Sequence, residues 1–185
     1  PGQISGNLNG TSAPIIARES QMALVGVRLD NVQRVMAVDL QSPPQVVHLY
    51  PEAEIEHFAD WIANRSRPPA AVDEVNGRIA AWGWDPDGMI AAVFDLAPPY
   101  DVDTWSEDTL CGGSGNPGAN PVADRLGHLY FPCGRFDDGI IVRIDADGLH
   151  VPKDLPGIEG GNGQFVGATT VLDDVTAVWL VWPRP

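Results

Sequence analysis

Cysteines, histidines and carboxylates are the residues of this chain that could carry chemistry. Cys111 and Cys133 are its two cysteines. Bonded to each other they would close a loop of about 23 residues and add roughly 3 kcal/mol by restricting the unfolded chain. A bond of that kind implies an oxidising setting, such as the cell exterior or a virion surface. As a free thiol, Cys111 would instead be a nucleophile, because Cys111-Gly-Gly-Ser-Gly115 offers backbone amides for an oxyanion. Its base would have to be one of four histidines, His48, His57, His128 or His150. Strand geometry separates Cys133 from His128, since His128 and Tyr130 project to one face of their strand while Leu129, Phe131 and Cys133 project to the other. Cys133 therefore reads as a core residue or a disulfide partner. The sequence leaves the bonded and free states of Cys111 both open.

Metal chemistry has less support. Asp101-Val-Asp-Thr-Trp-Ser-Glu-Asp108 alternates carboxylates as a calcium loop does at its start, making Asp101, Asp103 and Glu107 weak calcium candidates. The sharp-turn glycine and the distal bidentate Glu are missing from their places. Asp145-Ala-Asp-Gly148 reads as a turn. No Cys/His spacing suits zinc, no Gly-x-x-x-x-Gly-Lys phosphate loop is present, and Gly160-Gly-Asn-Gly163 lacks the following helix that a phosphate site needs. The expectation is a chain without a cofactor, Ca²⁺ being the one its acidic loops could take.

The charge balance narrows the partners. A single lysine, Lys153, and ten scattered arginines face 25 acidic residues, for a net charge of -14. Nucleic acid is excluded by this, because phosphate binding needs clustered Lys and Arg. No run approaches the roughly 20 apolar residues that span a bilayer, so membrane insertion is not expected. A first residue of Pro fits removal of an initiator Met at least as readily as cleavage of a signal.

The elements that would position these groups are mostly strands. Met22–Leu29 turns at Asp30-Asn31 into Val32–Leu40; Gly77–Trp84 turns at Asp85-Pro-Asp-Gly88 into Met89–Leu96; Gly127–Pro132 pairs with Gly139–Asp145; and Gln164–Leu172 pairs with Thr176–Trp182. Alternation is clearest at Ile140, Val142 and Ile144 against Ile141, Arg143 and Asp145. Pro51-Glu-Ala-Glu-Ile-Glu-His-Phe-Ala-Asp-Trp-Ile-Ala-Asn64 predicts a helix, with Pro and acids in its first turn and an apolar stripe through Ile55, Phe58, Ala59 and Ile62. Segments starting near Gly26, Gly77 and Gly127 and ending at Asp39, Asp95 and Asp145 share a spacing near fifty residues. Ordinary hairpins also resemble one another, and 185 residues are few for a closed propeller. The expected fold is thus mostly β, an antiparallel sandwich or barrel-like pair of sheets built from about four hairpins, with one packed helix (51–64).

Residues 1–21 read as an extended N-terminal arm and 22–185 as a single β-rich domain. Six tryptophans are many for this length. Ile4, Leu8, Ile15 and Ile16 on the arm, with Trp82, Trp84, Trp179 and Trp182 on strands, are the candidate interface residues, since aromatic and branched apolar side chains anchor protein contacts. The leading expectation is a non-enzymatic structural or interaction protein, a subunit of a virion or other large particle, bound to copies of itself or to other subunits through the arm and the apolar C-terminal strand. An extracytoplasmic binding module stapled by Cys111 and Cys133 is the alternative, and a Cys111-dependent enzyme comes third.

Overall fold

In the computed structural model the described residues are 8–11, 14–30, 32–50, 70–85, 88–111, 115–116, 120–135, 139–149, 153–154, 163–165, 170–171, 177–178 and 181–183. The helix expected over 51–64 lies outside them, as do Ile4 and Trp179.

Sheet 1 holds β1 (Leu8–Thr11), β2 (Ile15–Ala17), β3 (Met22–Leu29), β4 (Val32–Asp39) and β5 (Gln45–Leu49), in the order β1-β3-β4-β5 with β2 also pairing β3. Sheet 2 is a four-stranded meander of β6 (Ala70–Asp73), β7 (Arg78–Asp85), β8 (Gly88–Asp95) and β9 (Val102–Ser106). A short helix, α1 (Glu107–Cys111), follows it. Ser106 starts that helix, its Oγ accepting from the Thr109 amide at 3.2 Å. Sheet 3 holds β10 (Gly115–Asn116), β11 (Val122–Ala123), β12 (Leu129–Arg135), β13 (Gly139–Asp145), β14 (Gly148–Leu149) and β15 (Lys153–Asp154). Beyond these, β16 (Gly163–Phe165) pairs with β19 (Val181–Pro183), and β17 (Thr170–Val171) with β18 (Ala177–Val178). All pairings are antiparallel, as the alternating sequence leads one to expect.

Two apolar layers stack the sheets in chain order. Alternate residues of β7 and β8 point to opposite faces, so Ile79, Ala81, Ala92 and Phe94 pack with Ala17, Met22, Leu24, Val35, Ala37 and Tyr50 of the first sheet and its exit. Ala80, Trp82, Ala91 and Val93 pack the other way, against Leu129, Phe131, Cys133, Val142 and Ile144 of sheet 3. Sheet 2 is therefore buried on both faces, which is why its strands read as near-continuous apolar runs. The first strands also follow one another, with β2 beside β6, β6 beside β11 and β11 beside β17.

The repeat that composition alone left doubtful is present in this register. Ala17 pairs with Met22 and Met22 with Asp39; Asp73 pairs with Arg78 and Arg78 with Asp95. In sheet 3 the Asp124 amide donates to the His128 carbonyl, and Leu129 pairs with Ile144 just before Asp145. A residue one or two positions ahead of each second strand has positive φ: Gln21 at 55° before β3, Gly77 at 65° before β7 and Gly127 at 85° before β12. Gly26, taken from the sequence as the first repeat's marker, sits inside β3 instead.

The boundary expected at residue 21 does not separate an arm from a body. Leu8 pairs with Leu29 and Thr11 with Val27, while Ile15–Ala17 pairs with Leu24–Met22. The described part of the arm is two edge strands of the chain's own first sheet.

Candidate functional site

The densest polar cluster among the described residues lies where the β6–β7 turn of sheet 2 meets the β11–β12 turn of sheet 3. Each turn is organised by an aspartate at the end of its first strand. Asp73 Oδ1 accepts the Val75 and Asn76 amides, each at 3.1 Å, an arrangement that Asp favours because its short side chain reaches its own backbone two and three residues on. Its Oδ2 accepts from Asn76 Nδ2 at 2.8 Å and from Arg78 Nε and Nη2 at 2.9 and 2.7 Å. Asp73 is fully buried and Arg78 is 7 % exposed.

Arg78 then reaches across the junction. Its Nη2 donates to the Gly127 carbonyl at 2.9 Å and its Nη1 to the Asp145 carbonyl at 3.0 Å, while Asn76 Nδ2 also donates to Gly127 at 3.2 Å. The planar guanidinium supplies these donors in fixed directions, which a lysine could not do.

Asp124 repeats the device in sheet 3. Its Oδ1 accepts the Leu126 and His128 amides at 2.8 and 2.9 Å, and its Oδ2 accepts from His128 Nδ1 at 2.7 Å and the Tyr130 hydroxyl at 2.9 Å. Burial alone would raise this carboxyl. The hydrogen bonds from the His128 amide and ring, Tyr130 and Leu126 outweigh it and hold Asp124 below the usual carboxylate range. Burial, then the bond to Asp124, pushes the Tyr130 hydroxyl up to about 12. His128 Nε2 faces Asp145 Oδ1 at 3.8 Å, beyond hydrogen-bond reach, and Arg143 Nη2 donates to Asp145 Oδ2.

Chemically, the cluster braces two turns. A carboxylate that already accepts four hydrogen bonds, as Asp124 does, has little capacity left for a substrate proton. Asp124 does fix the His128 ring through its Nδ1, leaving Nε2 on the side of Asp145. The thiol that sequence reading offered as a nucleophile is consumed: Cys111 and Cys133 are joined, their Cα atoms 5.6 Å apart and both residues fully buried. Among the described residues no cysteine is free. The Cys111 nucleophile considered from the sequence is overturned on that account. The bond ties α1 to β12 inside the layer between sheets 2 and 3.

The other expected site residues fall as follows. Trp82 is no contact surface; it is 1 % exposed and meets Phe131 edge to face at 5.0 Å in the core. Trp84 lies on β7, Leu8 on β1 and Trp182 on β19. Ile15 packs half-buried against the first apolar layer, whereas Ile16 points away and is 46 % exposed. Asp101 and Asp103 are exposed around β9, Glu107 opens α1, and among the described residues no three His, Cys, Asp or Glu side chains converge on a metal position. Sequence reading missed Asp73, Arg78, Asp124, His128 and Tyr130 as one unit. The signal was available as Asp-x-x-x-Gly-Arg at 73–78 and Asp-x-x-Gly-His at 124–128.

No family model matches the chain, and no curated protein matches it. Solved structures that resemble it are the β-propeller domain of the Trilobed protease from Pyrococcus furiosus (9 % identity, TM-score 0.44, 97 % of this chain and 54 % of that one), the calcium-binding protein regucalcin from Agrobacterium tumefaciens (15 %, 0.37, 86 % and 49 %) and a luciferin-regenerating enzyme (10 %, 0.37, 85 % and 50 %). The chain spans about half the length of these structures.

Proposed function

We propose that this chain is a disulfide-stapled, non-enzymatic interaction module that works outside the reducing cytoplasm, built from propeller-like blades. The observation that carries the reading is the Cys111–Cys133 bond. Buried disulfides of this kind persist where thiols are oxidised and are rare where glutathione keeps them reduced. The successive antiparallel sheets, braced at their turns by Asp73 and Asp124, make a rigid scaffold on which loops can be presented to a partner. With a net charge of -14, a basic partner is favoured over an acidic one.

The assembly-subunit reading invoked the arm and the apolar C-terminal strand; residues 8–11 of that arm pair with β3 of the same chain, and the reading stands as a second proposal.

Thiol titration of denatured protein tests the compartment. Material purified without reductant is expected to expose no free thiol until it is reduced, and reduction should cost roughly 3 kcal/mol for a bond closing a separation of 22 residues. Two thiols titrating in unreduced material from the native source would end the proposal.

A further inference from the structure

The turn between β6 and β7 carries a reactive dipeptide. Asn76-Gly77 is one of three Asn-Gly pairs in the chain, with Asn9-Gly10 and Asn162-Gly163. Such a pair can modify itself. The Gly77 amide nitrogen attacks Cγ of Asn76, a new N–Cγ bond forms as the Cγ–Nδ2 bond breaks, and Nδ2 leaves as ammonia with the proton from Gly77. Water then opens the five-membered succinimide, giving aspartate or isoaspartate at 76. Water is the one co-reactant, and nothing is oxidised or reduced. Glycine at the attacking position leaves the nitrogen unshielded by a Cβ and the backbone free to rotate.

At Asn76 the leaving group is part of the junction. Nδ2 donates one hydrogen to Asp73 Oδ2 at 2.8 Å and the other to the Gly127 carbonyl at 3.2 Å, while the Asn76 backbone amide donates to Asp73 Oδ1 at 3.1 Å. Asn76 is exposed, so water reaches it, yet its amide bridges a fully buried carboxylate of sheet 2 to a carbonyl of sheet 3. Expelling Nδ2 must break both bonds, and the barrier to the reaction therefore includes releasing this amide from the junction. The product cannot make them again. A carboxylate at 76 offers acceptors where the amide gave two donors, and it would stand beside the Asp73 carboxylate. Arg78, the cation of that pair, is already shared with the Gly127 and Asp145 carbonyls.

We propose that Asn76-Gly77 is a modification site that acts as a one-way latch on the junction of sheets 2 and 3. While the junction is closed, the bonds from Nδ2 protect Asn76 from deamidation. Once it opens, deamidation removes the donors that closed it, so a transient opening becomes a lasting one. The proposal is independent of the disulfide-based reading, because it rests on the turn at 73–78 and its contact with Gly127 alone.

Peptide mapping by mass spectrometry of the full chain, aged in mildly alkaline buffer, tests it. Native wild type is expected to deamidate at Asn76 more than about tenfold slower than the same chain in urea, the ratio that a local opening free energy of roughly 1.4 kcal/mol sets. In Gly127→Ala a Cβ would stand 2.3 Å from Asn76 Nδ2, so this variant should deamidate severalfold faster at Asn76 in the native state, with the rate at Asn9 unchanged. Asn76→Asp, which installs the product, should unfold at a lower temperature than wild type. Should Gly127→Ala fail to fold, the wild-type comparison and Asn76→Asp decide the matter. Equal Asn76 rates in native and urea-denatured chains, a folded Gly127→Ala that deamidates no faster than wild type, or an Asn76→Asp as stable as wild type would each overturn the proposal.

Discussion

The turn that opens sheet 1 and the turn that opens sheet 2 occupy the same place in the repeat and are filled with opposite chemistry. Ala17 and Met22 pair across the first and both disappear into the apolar layer. Asp73 and Arg78 pair across the second and are buried as an ion pair, with Arg78 extended to carbonyls of sheet 3. The difference follows from what each turn must hold. Met22 contributes only area, whereas Arg78 satisfies two backbone carbonyls of a neighbouring sheet that would otherwise be left without these donors. Sheet 3 shows a third solution, Asp124 with His128, in which the imidazole is 26 % exposed.

The largest way to break this contrast is Arg78→Met, which copies the chemistry of sheet 1 into sheet 2. It leaves a fully buried Asp73 carboxylate without its cation and takes one donor from each of the Gly127 and Asp145 carbonyls, so a loss of about 3–5 kcal/mol is expected in denaturant unfolding. Retention of near wild-type stability would mean that the junction is held by its apolar layer alone.

A smaller effect separates the two glycines that lead into the second strands. Gly77 at φ +65° has open space where a Cβ would stand, so Gly77→Ala carries only the left-handed backbone cost, about 1–2 kcal/mol. At Gly127, φ +85°, a Cβ would lie 2.3 Å from Asn76 Nδ2 and 3.1 Å from Val75 Cβ. Gly127→Ala must therefore also push aside the amide that bonds Asp73 and the Gly127 carbonyl, and is expected to cost about 1 kcal/mol more than Gly77→Ala. Equal thermal shifts for the two variants would show that the turns do not press on each other.

Much of the fold was legible because hairpins are local. The β3–β4 and β7–β8 pairings on either side of residues 30–31 and 85–88, the β12–β13 pairing and the opposite faces of His128 and Phe131 all follow from turn chemistry and period-two alternation, and each is found in the structure. The repeat was obscured by one substitution. Where sheets 2 and 3 use Gly to reach positive φ, sheet 1 uses Gln21, and the nearest glycine, Gly26, drew the alignment five residues off. The polar junction was illegible for a different reason: Arg78 and Gly127 are 49 residues apart, and nothing local tells a buried bridging arginine from a solvated one. Trp82 failed similarly, since a strand packed on both faces gives no period that marks which aromatic is inside.

Glu74 provides the smallest test, and it sharpens the contrast at the other junction. Its carboxylate accepts the Arg18 and Glu19 amides at 2.8 and 3.0 Å, clasping the sheet 1 turn from sheet 2 as Arg78 clasps the sheet 3 turn. Both bonds are exposed to water, so the amides regain solvent partners when the carboxylate is removed. Glu74→Ala is accordingly expected to cost only about 0.5–1 kcal/mol, with faster hydrogen exchange confined to Arg18 and Glu19. A loss approaching that of Arg78→Met would contradict the argument that burial, rather than the number of bonds crossing between sheets, decides how much each clasp contributes.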